Sequence, residues 1–345
     1  MVMPTPQGYR DDSVFDNFWQ LVERYRVSFM VTVPTAAAAL MQRPVNADVS
    51  SLRYAICGSA PLPVELFNRF QDATGVKILE GYGMTEATCL VSCNPPQGEQ
   101  KIGSVGLPMP YTNVHILQCD AAGAITRSCG TDEVGEICVE NPGVIVGGTY
   151  TEADKNVGLF ADRKYLRTGD LGRVDADGYL WITGRAKDLI IRGGHNIDPA
   201  IIEEALAGHP SVGFVGAIEQ PDAYSGELPA AYVELVEGAD TSTDDLMTFA
   251  QDTITEKAAL PQHIEILDEL PKTAVGKIFK PDLRKSAITR VFDAALADAN
   301  VNARVVVVTE DKKLGLVANV QSQTATDDTI HQVLGAFPGS WKRVS

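Results

Sequence analysis

The residues of this chain best suited to chemistry fall in three groups. The first is GYGMTEAT at residues 81–88. There the Thr85 hydroxyl can meet a phosphate oxygen, and Glu86 offers the hard carboxylate oxygen that Mg²⁺ accepts alongside water and substrate phosphate. Gly81 and Gly83, lacking Cβ atoms, would let backbone approach a ligand, and Tyr82 could stack on an adenine face. The same run also reads as an ordinary strand-to-helix turn with Glu86 facing a helix dipole. The second group is Asp170 in TGD and Arg185 fifteen residues later. A carboxylate can accept from both the 2′ and 3′ hydroxyls of a ribose, and the guanidinium can reach ribose or phosphate; singly, they are turn chemistry and a surface ion pair. The third is Lys277 in PKTAVGKI, residues 271–278. Its ammonium could offset negative charge gathering in a transition state, with Gly276 admitting the loop to a crevice; alone it is an exposed basic loop.

These groups need a frame to position them. Residues 13–27 place Phe15, Phe18, Trp19, Val22 and Tyr25 on one helical face, with Ser13 and Asp16 spaced as a capping box. Apolar runs at 28–33, 54–57 and 76–79 alternate with helices opening at Pro34 and spanning 63–73, which predicts parallel β-α-β units. Ligands bind such sheets beyond the carboxyl ends of the strands, where CGSAP (57–61) and GYGMTE (81–86) fall as two loops. Beyond Gly103, short segments such as 114–117 and 136–139 suggest a small β-barrel or sandwich, and 175–178 a hairpin turn before 179–183. A second, α+β unit follows Gly184: helices at 199–207 and 243–255, strands near 212–218 and 230–236. The tail predicts a hairpin, 304–308 with 314–320, and a helix over 327–336.

Taken in this order and at these separations, GYGMTEAT, the stretch 165–199 (YLRTGDLGRVDADGYLWITGRAKDLIIRGGHNIDP) and PKTAVGKI resemble the later motifs of the adenylate-forming enzymes. That superfamily holds acyl-CoA synthetases, peptide-synthetase adenylation domains and luciferases. The resemblance implies two steps: a carboxylic acid and MgATP give acyl-AMP and pyrophosphate, and coenzyme A thiol then displaces AMP. By the same resemblance Thr85, Glu86 and Lys277 serve adenylation, with Glu86 holding Mg²⁺. Gly58, Ser59 and Ala60 resemble the adenine-side loop, and Gly81, Tyr82, Gly83, Met84, Asp170 and Arg185 complete the nucleotide site. Gly193 and Gly194 would line the pantetheine passage. Lys187 stands at the hinge position, where many members have Asp. His195, with no triad partner in sequence reach, reads as lining or structure.

The fold expected is therefore α/β plus α+β. Residues 1–186 would be the later part of a large AMP-binding domain (1–105 α/β sheet, 106–186 β-rich), 187–285 a small mobile domain, and 286–345 an extension without a motif. The Ser/Thr/Gly-rich phosphate loop ending in Pro-Lys has no match here, so the chain is expected to be a fragment with little activity alone. Cys57, Gly81 and the alanine-rich helix after Pro34 could border an apolar acyl pocket, and no acidic residue is placed to meet an ammonium. A fatty or aromatic acid is thus favoured over an amino acid. Two other readings stay open: a peptide-synthetase-type adenylation domain, though no carrier-domain serine context follows Lys285, and a non-catalytic truncated module of the same fold.

Composition narrows the rest. A formal net charge of −16 argues against a nucleic-acid partner. Cys57, Cys89, Cys93, Cys119, Cys129 and Cys138 form no CxxC pair, which favours reduced buried thiols over zinc. Neither a membrane span nor a secretory leader is evident, so a cytoplasmic protein is expected; homo-oligomerisation is left open.

Overall fold

The structure, a computed structural model, describes residues 1–6, 11–120, 122–273, 276–311 and 313–344. It divides into two compact units: Met1–Lys187 with Ala274–Lys277, and Asp188–Thr273 with Ile278–Ser345.

The first unit opens with helices α1 (Asp12–Asp16) and α2 (Phe18–Tyr25), not one continuous helix. Asp11 takes the cap, accepting from the Ser13 amide, and Asn17 breaks the run, so the expected Ser13/Asp16 box does not form. Trp19 and Val22 are buried as the pattern predicts, whereas Tyr25 is exposed. Next come β1 (Phe29–Thr32), α3 (Pro34–Met41), β2 (Tyr54–Cys57), α4 (Val64–Thr74), β3 (Lys77–Met84), β4 (Cys89–Cys93) and β5 (Leu107–Pro108). Pro34 sits in the first turn of α3, where its missing N–H costs nothing. Strands β1 to β5 lie in sheet order; β1, β2 and β3 are parallel, and β4 and β5 return antiparallel. Trp19, Leu40, Phe67, Phe70 and Ile78 fill the core beneath the parallel strands.

The β-rich part holds β6 (Asn113–Cys119), β7 (Ile125–Ser128), β8 (Gly135–Glu140), β9 (Phe160–Ala161), β10 (Tyr165–Val174) and β11 (Leu180–Arg185). They pair in the order β11-β10-β8-β6-β7, with β9 also on β10. Lys101 fixes the β10–β11 turn: its Nζ lies 2.8 Å from Asp175 and 2.6 Å from Asp177, over the Tyr179 ring.

The second unit runs β12 (Ile190–Arg192), β13 (His195–Ile197), α5 (Pro199–Ala207), β14 (Val212–Asp222), β15 (Gly226–Leu235), α6 (Thr243–Thr253) and β16 (His263–Leu267). It ends with α7 (Lys280–Asp298), β17 (Arg304–Asp311), β18 (Gly315–Gln321), α8 (Asp327–Leu334) and β19 (Ser340–Val344). The main sheet has the order β13-β12-β15-β14, with β16 parallel to β15; β17-β18-β19 is a separate sheet. The expected boundary at 285/286 falls inside α7, a single helix whose Leu283 and Ala287 join one core and whose Phe292 and Leu296 join that of the last three strands. Of the expected tail hairpin loop, Lys312 lies outside the described residues. Among the described residues no helix is long and apolar enough to cross a membrane.

Candidate functional site

Asp170 sits on an irregularity built to aim it. The pairing of β10 with β8 shifts between Arg167 and Leu171, and Gly169 takes a φ of +73° within that shift. Such bulges re-aim side chains. Buried Thr168 holds the bulge from inside, donating to Ile137 O at 2.8 Å and accepting from the Asp170 amide at 3.1 Å. Glu136 holds it from the side: one oxygen accepts from the Gly169 amide at 3.3 Å, and the other pairs with Arg167 at 2.8 Å. The Asp170 carboxylate then accepts from Tyr82 Oη at 2.6 Å on one oxygen and from Arg185 Nε at 2.7 Å on the other. A carboxylate oxygen has two acceptor sites, so each oxygen keeps one beside these bonds. Arg185, directly opposite Asp170 in the β10–β11 register, is exposed, and it is Nε that makes this pair.

Tyr82 has a different setting from the one expected. Its residue is only 8% exposed and packs in the core with Val91, Ile137 and Leu180. Burial, reinforced by the Asp170 charge, pushes its phenol well above the ordinary range, so it stays a proton donor to Asp170. The ring leaves little face for stacking; what the structure gives Tyr82 is the task of holding Asp170.

Gly81, Tyr82, Gly83 and Met84 are not a loop but the end of β3, paired antiparallel with β4. The backbone that comes close to Gly83 is the protein's own: a Cβ there would lie 1.6 Å from Cys89 O. At Gly58 a Cβ would lie 2.8 Å from Gly81 O, so the loop carrying exposed Ser59 and Ala60 rests directly on β3. The two segments therefore meet, as the β-α-β reading anticipates.

Thr85–Ala87 forms a single 3₁₀ turn after β3. Asn141 Nδ2 donates to Ala87 O at 3.1 Å, and Thr88 Oγ1 donates to Gly143 O at 3.0 Å, pinning the turn on both sides. Thr85 is exposed; Glu86 is half-buried and accepts from the Tyr150 hydroxyl, whose pKa that bond raises. A threonine hydroxyl and a carboxylate are hard oxygen donors, the set Mg²⁺ takes when most positions are left to water and phosphate.

Of the small residues expected to border an acyl pocket, Ala38 and Ala39 are half-buried and the others are buried. Ala36, Ala37 and Cys57 are 4%, 0% and 1% exposed and belong to the interior of the first unit. Burial, with the Glu80 charge, pushes the Cys57 thiol up to about 12. Not all thiols are buried, either: Cys89 is exposed, and Cys93, Cys119 and Cys129 are half-buried. The ligand atoms of Cys119, Glu136 and Cys138 lie within 4.8 Å of one another, a grouping their linear spacing does not show.

In the second unit, Gly193 and Gly194 form the tip of the β12–β13 hairpin with φ of +56° and +89°. Nothing lies within 4 Å of where their Cβ atoms would be, and the Gly193 amide donates to Ser225 O at 2.8 Å. His195 opens β13 and is exposed. Lys187 is exposed and is the last residue before the second unit. The PKTAVGKI loop is closed at its base by an antiparallel bridge from Lys272 to Ile278, with Lys272 paired to Glu234 at 2.7 Å. Lys277 is exposed; Ala274 and Val275 lie outside the described residues. Sequence reasoning missed Tyr150, Thr168, Glu136 and Asn141, since each acts through a contact made by chain folding. TGD itself was the only local signal that its flanking Thr168 mattered.

Comparison with known proteins places the chain among the AMP-binding enzymes. A family model described as AMP-binding enzyme matches residues 1–147, and one described as AMP-binding enzyme C-terminal domain matches 201–277. The marinolic acid–CoA ligase of Pseudoalteromonas sp. is 46% identical over 291 residues, which are 84% of this chain and 44% of that protein. The long-chain-fatty-acid–CoA ligase of Bacillus subtilis is 35% identical over 263 residues, 76% of this chain and 46% of its own. Among solved structures, an anthranilate CoA ligase in complex with anthranoyl-AMP superposes with a TM-score of 0.73 at 28% identity, covering 83% of this chain and 54% of that one. The chain thus spans about half the length of the relatives it matches.

Proposed function

Because the chain belongs to the adenylate-forming, AMP-binding enzyme family, we propose that it carries the later part of an acid–thiol ligase. The reaction is formation of acyl-AMP from a carboxylic acid and ATP, followed by transfer of the acyl group to coenzyme A. A fatty or aromatic acid is the substrate class favoured, in keeping with the long-chain-fatty-acid and anthranilate ligases it resembles.

The observation that carries this reading is the Tyr82–Asp170–Arg185 constellation, in which two donors from different sheets converge on one carboxylate. Asp170 takes the ribose hydroxyls on its two spare acceptor sites, and Arg185 reaches toward ribose or phosphate. Tyr82 and the bulge keep the carboxylate from rotating, so orientation is settled before the nucleotide arrives. Glu86 and Thr85 would hold Mg²⁺, which when bound supplies positive charge to the phosphate oxygens. Lys277 offsets charge between acyl carboxylate and α-phosphate, Lys187 is the hinge, and Gly193 and Gly194 leave room for a thin thiol arm.

The test is calorimetry with a nonhydrolysable acyl-AMP analogue. Micromolar binding by this chain, weakened at least about tenfold in Asp170→Ala, is expected. Equal binding by the variant, or none by the parent chain, overturns the assignment.

A further inference from the structure

The chain crosses between its two units at Lys187/Asp188 and at Lys277/Ile278. Just inside the second unit at both crossings stands one ion-pair network. Arg284, seven residues past the second crossing, donates from Nη2 to Asp188 Oδ1 at 3.0 Å and from Nε to Glu219 Oε1 on β14. All three side chains are largely buried: Arg284 is 15% exposed, Asp188 17% and Glu219 24%. Three residues beyond Asp188, Glu227 of β15 accepts from the Ile191 amide at 2.6 Å. The short run from Asp188 to Ile191 is thus held at both ends, by α7 and by β15. It is also the root of the hairpin whose tip is Gly193–Gly194.

We propose that Arg284 is a positioning residue that makes Asp188 a rigid part of the second unit, so that at the first crossing any turning is confined to the backbone at Lys187 and the β12–β13 hairpin moves with its unit. The physical reason is the guanidinium's planar fork. Two carboxylates on separate elements can be held by it at fixed angles, which an ammonium on a flexible stem does not do. Without the tether, the four residues from Asp188 to Ile191 would keep hydrogen bonds only from Ile190 onward, and rotation would spread into them. The functional half of this proposal rests on the ligase reading above; the structural half does not.

Truncating Arg284 would leave two carboxylates buried without a partner and endanger folding, so Asp188→Ala is the primary variant, since Arg284 keeps Glu219. Hydrogen exchange on the full chain should show the amides of residues 189–191 exchanging at least about tenfold faster, with β14 and β15 as protected as before. Unchanged exchange at 189–191, or a rise shared equally by β14 and β15, overturns the tether. Arg284→Lys, which keeps the charge without the fork, should reproduce the local rise; full protection in that variant overturns the role of the fork. In an intact ligase carrying these residues, Asp188→Ala should lower the rate of thioester formation from supplied acyl-AMP at least about fivefold. Its KM for the acid should stay unchanged. A faster local exchange with normal thioester rate would keep the tether and refute its part in the reaction, and an enzyme that forms no thioester from acyl-AMP even unmutated would refute the ligase reading instead.

Discussion

The Tyr150 hydroxyl donates to Glu86 Oε1, across sixty-four residues of sequence, and so occupies one oxygen of the carboxylate assigned to Mg²⁺. On the proposed reading, the proton donated to that oxygen lowers the negative charge Glu86 can offer the metal. Tyr150→Phe should therefore tighten MgATP or Mg²⁺-dependent analogue binding about threefold to tenfold, read by calorimetry with and without the metal, while stability changes by less than about 1 kcal/mol because the bond is partly exposed. Weaker metal-dependent binding would mean that Tyr150 holds Glu86 in its working position.

Tyr82→Phe removes a donor from Asp170 in a buried setting. A hydrogen bond to a charged group contributes about 1.5–3 kcal/mol, and the melting temperature of the first unit should fall accordingly. Acyl-AMP analogue affinity should drop with it, about tenfold, as the carboxylate gains rotational freedom. A stability loss with full affinity would separate the core role of the tyrosine from its positioning role.

Gly83→Ala places a methyl group into the Cys89 carbonyl, where backbone on both strands has no room to yield. The cost should be about 3 kcal/mol or more, visible as loss of the folded first unit in a urea titration. Gly193→Ala meets no neighbour but must keep a positive φ, and should cost about 1 kcal/mol.

Lys277→Ala, in an intact ligase, should lower acyl-AMP formation by two orders of magnitude or more, about 3 kcal/mol of transition-state stabilisation, while supplied acyl-AMP still reacts with coenzyme A. Pyrophosphate release and thioester formation, measured separately, decide it; equal loss of both refutes the division of labour.

Asp198 caps α5 by accepting from the Ala200 amide, yet burial raises its pKa from 3.8 to about 6, and Glu203 and Glu256 add to the effect against Lys280. The folded state holds this proton more tightly than the unfolded chain. Its contribution is fully present below about pH 4 and is lost as pH rises through about 6. Asp198→Asn, which retains an acceptor for the cap, should flatten that part of the stability–pH curve, as followed by denaturant titrations at steps from pH 4 to pH 7.

The sequence made some parts legible and hid others for identifiable reasons. Val64–Thr74 and Pro199–Ala207 were readable because each carries its own punctuation, a proline at the start and a glycine after the end. The parallel strands were readable from short apolar runs between helices. Residues 81–84 do not read as strand because the four pairing partners that hold them extended, Cys89, Leu90, Ser92 and Cys93, come after the motif and show no alternation of their own. The second-unit strands β12, β13 and β16 are three to five residues long, too short for periodicity to stand out. At the candidate site, Asp170 and Arg185 were visible as a local pair because a hairpin brings them opposite each other. Tyr82 could be singled out but not joined to them, since eighty-eight residues and a change of sheet intervene.

Helix α7 gives the C-terminal residues a mechanical status that their lack of motifs conceals. One stiff rod is embedded by Leu283 and Ala287 in one core and by Phe292 and Leu296 in another, with no joint between. A cut after Lys285 would split that rod, strip the β17–β19 sheet of its backing and leave its apolar face to aggregate. The last strands are an outrigger: a load applied to them, by a bound partner or by the surrounding medium, reaches the main sheet of the second unit as torque along α7.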